Sequence, residues 1–292
     1  MTAGVTRTTA GTDWGKADFE AIYNCPDPRR YFTTLQPLEY QIPHHGQAVF
    51  RAAAETLQRR RSDRPPLQVV DLCCSYGVNA ALLNHRVSLD DLYHHYVAPD
   101  RQALTSDQLA RDDRMFFATR RRPDAARVIG IDAAHRAVDY ARSVGLVDHG
   151  FPANLERDAP SPALRSALAG TDLVTVTGGV GYITARTFGQ LFDCFTAPPW
   201  VAAFVLRTVP YRPVAELLAR AGLVTEKLTT RTFRQRRFAD GDERRAALDA
   251  LAARGLSVTG KESDGFYHAD LYLSRPAADV AALPLVQLLP AV

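Results

Sequence analysis

The strongest constraint in this sequence is a pairing repeated four times, an apolar run of strand length followed by a helical stretch. "LQVVDL" (67–72) precedes "VNAALLNH", and "ARVIGID" (126–132) precedes "AHRAVDYARSVGL". "DLVTVTGG" (172–179) then precedes "YITARTFGQLFDCF", and "WVAAFVLRTV" (200–209) precedes "VAELLARAGL". Runs that are apolar throughout, rather than at alternate positions, belong to strands covered on both faces. Alternating them with helices predicts a doubly wound, mostly parallel α/β sheet. After Leu223 the pattern changes. "VTEKLTTRTFRQRRF" and "FYHADLYLSRP" alternate in period two around the helical "DERRAALDALAARG", which predicts a late antiparallel pair closing the far edge.

With 292 residues the chain is long enough for one large domain with a real core. Residues 1–16 are small and polar and read as a flexible tail. Residues 17–64 form an N-terminal helical cap rich in aromatics. Pro26, Pro28, Pro37 and Pro43 restrict its first half to short or irregular pieces, and Val49, Ala53 and Leu57 give Gln47 to Arg60 a helical spacing. Residues 65–292 make the main domain, interrupted at about 86–125 by an insertion whose helix starts at Thr105 or Ser106. That insertion is a lid, a contact between two copies in a homodimer, or a surface decoration.

The charge balance, 35 − 32 = +3, and the short, scattered basic clusters at 59–64, 120–123 and 234–237 argue against a nucleic-acid partner. No window approaches the roughly 18 apolar residues of a membrane span, and the N-terminus lacks the apolar core of a signal peptide. A cytoplasmic location and no membrane partner are therefore expected. Four cysteines, with Cys73 and Cys74 adjacent and no CxxC spacing, read as reduced, packed side chains and not as metal ligands.

Ligands of open α/β sheets bind beyond the carboxyl ends of the strands. "DLCCSYGVN" therefore holds the prime position, but it has one glycine, Gly77, where a dinucleotide loop needs GxGxxG. "DLCCSYG" resembles motif I of the class I S-adenosylmethionine (SAM)-dependent methyltransferases, a Rossmann-like family. Asp71 and Gly77 match the ends of that motif, Cys73 and Ser75 stand where glycines are usual, and Tyr76 is the sharpest departure. "VIGIDAAHRAVDYA" resembles the second motif, which makes Asp132 the acid that accepts from the ribose hydroxyls; a carboxylate suits a cis-diol because it only accepts. Its distance from Asp71, 61 positions against the usual span of about 20 after the loop, measures the insertion. The resemblance further implies adenine contacts from Asn154 and Leu155 in "GFPANLERD", and contacts near the transferred methyl from Thr177, Gly178 and Gly179 in "TVTGGVGY".

The implied reaction is methyl transfer from SAM to a small molecule, in keeping with secondary metabolism. Tyr182 partly matches the aromatic end of the family's fourth motif, while Tyr31, Tyr40 and His44 are candidate catalytic residues from the cap. Tyr23, Tyr31, Phe32 and Tyr40, with Tyr76 and Tyr182, form a candidate aromatic box for the sulfonium cation. The paired histidines 44–45 and 94–95 read as loop residues. The "DLCCSYG" loop, the insertion and "NLE" (154–156) are also similar to methyltransferase-fold enzymes that cyclise SAM to azetidine-2-carboxylate and methylthioadenosine. A SAM-fold binding module without catalysis is a third reading. No metal site, HExxH motif or nucleophile elbow is present.

Overall fold

A computed structural model of the chain describes residues 20–60 and 66–289. The expected tail at 1–16 lies outside the described residues. The N-terminal region contributes α1 (Glu20–Tyr23), α2 (Arg29–Leu35) and α3 (Ile42–Arg59), and the sheet domain opens with β1 (Gln68–Leu72) and α4 (Val78–Asn84). The insertion folds as α5 (Leu89–Val97), α6 (Pro99–Gln102) and α7 (Ser106–Ala118). The core then continues through β2 (Arg127–Asp132), α8 (His135–Ser143), β3 (His149–Pro152), α9 (Pro162–Leu168), β4 (Leu173–Thr177), α10 (Ala185–Phe192), β5 (Trp200–Leu206) and α11 (Arg212–Arg220). The chain closes with β6 (Leu223–Lys227), β7 (Phe233–Arg237), α12 (Gly241–Ala253), β8 (Phe266–Pro276), α13 (Ala277–Ala282) and α14 (Leu285–Leu288).

These strands form one eight-stranded sheet in the order β3-β2-β1-β4-β5-β8-β6, with β7 also paired to β8. The first five are mutually parallel, and β8 runs antiparallel to β5. The fold is thus α/β and doubly wound, with an antiparallel edge. That edge holds three strands where the sequence pattern predicts two. "VTEKLTTRTFRQRRF" breaks into β6 and β7, which lie end to end along β8, Lys227 opposite Tyr272 and Phe233 opposite Ala269.

Strand residues alternate between two buried layers, as the pleat demands. Val69, Leu173 and Phe204 pack with Val49, Phe50 and Ala53 of α3 and with the insertion helices. Val70, Leu72, Val174 and Val176 pack on the other face with Leu164, Phe188 and Leu218. α3 starts five residues earlier than its apolar spacing suggests, because Pro43 sits in its first turn, where a missing N–H costs nothing. This start also moves His44 and His45 from the expected loop into a helix. His94 and His95 likewise belong to the last turn of α5.

The N-terminal region and the insertion pack on each other. Asp27 pairs with Arg29 at 2.8 Å and accepts from Ser106 Oγ at 2.6 Å, while Arg29 Nη1 donates to the carbonyls of Arg101 and Leu104. Phe32 stacks on Tyr96 at 4.6 Å, and the Tyr93 hydroxyl donates to the Tyr40 carbonyl. Beneath them Asp113, fully buried, holds His95 Nε2 at 2.6 Å and accepts from the hydroxyls of Tyr96 and Tyr140. Replacing this hub leaves His95 Nε2 without its acceptor and the Tyr96 and Tyr140 hydroxyls with only each other, at 3.4 Å. Asp113→Ala is expected to lower the unfolding free energy by about 3 kcal/mol, read as an earlier urea midpoint with an unchanged slope.

Candidate active site

The β1–α4 loop decides the site. Cys73, Ser75 and Gly77 have φ of 60°, 48° and 77°, so every second residue is left-handed. Only glycine adopts this region freely; an L side chain there costs about 1–2 kcal/mol. The backbone therefore follows the path of a glycine-rich loop even where the sequence supplies Cys and Ser. The curl brings the amides of Cys73 and Cys74 onto the Ile131 carbonyl, at 2.8 and 3.2 Å, and the Ser75 amide onto Asp132 Oδ2, at 2.9 Å. The cysteines fill the space behind it. A Cβ on Gly130 would lie 2.9 Å from Cys74 Sγ, and one on Gly179 would lie 2.7 Å from Cys73 Sγ.

Two carboxylates flank the loop. Asp132 ends β2 partly exposed, with Oδ2 on the Ser75 amide and Oδ1 on the Ala134 amide at 2.9 Å. Burial raises its pKa, against the lowering effect of these backbone amides. Asp71 lies deeper. Its Oδ1 accepts from Asn79 Nδ2 at 3.0 Å and Thr175 Oγ1 at 3.2 Å, and Asn79 also donates to Thr177 Oγ1 at 3.1 Å. Oδ2 of Asp71 is buried with no partner among the described residues. Burial pushes the Asp71 carboxyl up to about 7, with the nearby Asp132 charge adding to it and the Asn79 and Thr175 bonds opposing it. Asn79, on the first turn of α4, is a site residue that the sequence reading missed. Its signal was an amide in an otherwise apolar helix face.

The aromatic candidates separate into two groups. Tyr76 is 1% exposed and points away from the loop mouth. Its hydroxyl accepts from the Cys25 amide at 2.8 Å and donates toward the Ile22 carbonyl at 3.0 Å, and its ring meets Tyr31 and Tyr140 edge-on. It is thus a clamp for the N-terminal region, not a wall of the expected box. Tyr31 and Phe32 are core side chains for the same reason. Burial raises the pKa of the Tyr23 hydroxyl, with Tyr40, Tyr182 and Asp132 adding to the rise and Arg236 opposing it. Burial raises the pKa of Tyr31 and takes that of Tyr40 to about 12, so neither is suited to accept a proton at neutral pH. Tyr182 stands 59% exposed on the turn after β4. His44 is also exposed, its ring edge-on to His45 at 5.4 Å, and it makes no hydrogen bond to Asp71, Asp132 or Tyr182.

Beyond β3, Asn154 Oδ1 is used in its own turn, accepting from the Glu156 amide at 3.1 Å, and Leu155 is a core side chain. Glu156 is the organiser here. It accepts from the Thr184 amide at 2.7 Å and the Thr187 hydroxyl at 2.6 Å, tying the loop after β3 to the start of α10. Although its partial burial works the other way, these hydrogen bonds hold its pKa below the usual carboxylate range. Gly178 and Gly179 follow Thr177 at the end of β4, beside Cys73.

No family model matches this chain, and no curated protein matches it. Among solved structures it is similar to YcgJ protein from Bacillus subtilis, at 10% identity over 77% of this chain and 97% of that one, with a TM-score of 0.43. A SAM-dependent methyltransferase from Aquifex aeolicus matches at 12% identity over 89% and 99%, with a TM-score of 0.38. Precorrin-6y C5,15-methyltransferase from Geobacter metallireducens matches at 9% over 77% and 86%, with a TM-score of 0.36. The fold assignment rests on the strand order of this chain itself. Among the described residues no helix is long and apolar enough to cross a membrane.

The loop geometry makes a stability prediction. Ser75 bears a left-handed backbone and a buried Oγ with no partner among the described residues. Ser75→Gly is therefore expected to stabilise the protein by about 1 kcal/mol, after the greater unfolded-state entropy of glycine is offset. Urea unfolding of the two proteins measures it; a lower midpoint for the variant contradicts the strain argument.

Proposed function

We propose that the carboxyl edge of β1, β2 and β4 binds SAM and that the protein transfers the SAM methyl group to a small-molecule acceptor. The observation that carries this reading is the left-handed alternation at 73, 75 and 77 locked onto the Asp132 carboxylate. It leaves a tight backbone curl beside a partly exposed acid, which suits an adenosine without phosphates. Asp132 would accept from the ribose hydroxyls. The unpaired Oδ2 of Asp71 supplies a buried anion for the methionine ammonium, and Asn154 remains the candidate for the adenine edge. Tyr182, exposed at the end of β4, is the candidate to meet the acceptor. In the same reading residues 17–64 act as a cap braced by the 86–125 insertion over a SAM-binding domain at 65–292, in a cytoplasmic enzyme.

A second reading is favoured by Asp71. A carboxyl pushed up to about 7 with one bare oxygen can take a proton from the ammonium it faces. The freed α-amine could then attack the γ-carbon of the same SAM molecule. A C–N bond forms, the C–S bond breaks, and the sulfonium keeps the electron pair, leaving as methylthioadenosine beside azetidine-2-carboxylate. Incubation with SAM alone separates the readings. Intact SAM that turns over only with an added acceptor supports methyl transfer, whereas methylthioadenosine and a cyclic amino acid overturn it. No thermal stabilisation by SAM or S-adenosylhomocysteine (SAH) removes both.

Two further outcomes are expected. Asp132→Ala weakens SAM binding by about 1–3 kcal/mol, measured by calorimetry. The Asp71 carboxyl titrates at about 7 when folded, above its ordinary 3.8, so its protonation favours the ligand-free fold at low pH and that stability is lost as pH rises through 7. A bound ammonium favours the ionised form. SAM affinity should therefore rise by up to about tenfold per pH unit on approach to 7 and level off above it; Asp71→Asn should flatten that profile.

A further inference from the structure

Gln235 has no part in the site as read from sequence, yet four observations converge on it. The pairing of β7 with β8 is irregular between Arg234 and Arg236, so Gln235 is the bulged residue. Bulges re-aim a side chain, and they recur beside active sites. The backbone carbonyl of Gln235 is fixed by the Gln41 amide at 2.8 Å, just ahead of α3. Its side chain is 2% exposed and lies against Gly178, where a Cβ would sit 2.8 Å from Nε2. Gly178 itself has φ +66°, so this residue is glycine both by conformation and by the room the amide occupies. Finally, Oε1 of Gln235 is buried with no hydrogen-bond partner among the described residues. A desolvated carbonyl oxygen left unpaired is costly, and an amide used only as filler could be replaced by an apolar side chain without that cost.

Building on the SAM reading above, we infer that Gln235 Oε1 faces the sulfonium end of bound SAM and makes the site prefer the charged cofactor over its neutral product. A sulfonium offers polarised C–H groups and a positive charge but no N–H or O–H. A bare carbonyl dipole at the end of β4 is complementary to it, and a carbonyl oxygen can accept from C–H. The spent cofactor, SAH, has lost the charge and the methyl but keeps the adenosine, the carboxylate and the ammonium. Gln235 therefore acts on the difference between the two ligands, and contacts shared by both cancel.

The test is calorimetric titration of wild type, Gln235→Met and Gln235→Glu with SAM and with SAH. Gln235→Met keeps the length and removes the dipole; its preference for SAM over SAH should fall by about threefold or more, with SAH affinity retained. Gln235→Glu places a negative charge at the same point and should raise that preference. If both ligands bind but the ratio is unchanged in both variants, or in Gln235→Glu alone should Gln235→Met not fold, the inference is overturned while the SAM site stands. If wild type binds neither ligand, the SAM reading falls and takes the inference with it.

Discussion

The curl of the β1–α4 loop is the constraint on which the site depends. Three left-handed residues in five turn the chain back on itself, so that the Ser75 amide reaches Asp132 and Gly77 caps the start of the following helix. Two of these residues carry side chains. The strain is held in place because Cys74 fills the gap over Gly130 and Cys73 the gap over Gly179, while Tyr76, between Ser75 and Gly77, is pinned by the N-terminal region. Functional sites are where such strain persists, provided the surroundings fix it.

The clamp at Tyr76 links the site to the parts of the chain that lie outside the plain sheet. Its ring contacts Tyr140, whose hydroxyl bonds Asp113 in the insertion, and its hydroxyl holds the turn at Ile22 and Cys25. Asn24 continues the same line, donating from Nδ2 toward His135 and accepting the Arg136 amide at the start of α8. The N-terminal segment is thus bonded to the loop that follows β1 and to the helix that follows β2. The insertion braces it from behind through Asp27, Arg29 and Ser106.

The sheet was legible in the sequence because continuous apolar runs ending in Asp71 and Asp132 have few alternatives, and their helices carry clear periodicity. Less legible was the far edge. Period-two alternation identifies strands but not their neighbours, and the choice of β8 as the partner of β5 depends on which chain segment buries its apolar face against Phe204 and Ala202. The start of α3 was misjudged from Pro43, a residue that breaks a helix interior yet suits its first turn.

The resemblance to methyltransferase motifs pointed to Asp71, Ser75, Gly77 and Asp132, each at a strand end or in the loop that follows one. Only the tertiary structure decided that Cys73 and Ser75 take glycine's conformation, that Tyr76 turns toward the cap, and that Asn79 meets Asp71, Glu156 meets Thr184 and Gln235 meets Gly178. Asn79, Glu156 and Gln235 come from positions 8, 85 and 164 residues beyond Asp71 (79 − 71, 156 − 71, 235 − 71), carried by three different elements. Local sequence sets backbone preference over a few residues; which distant polar groups meet, and which buried oxygen is left without a partner, follows from how the layers pack.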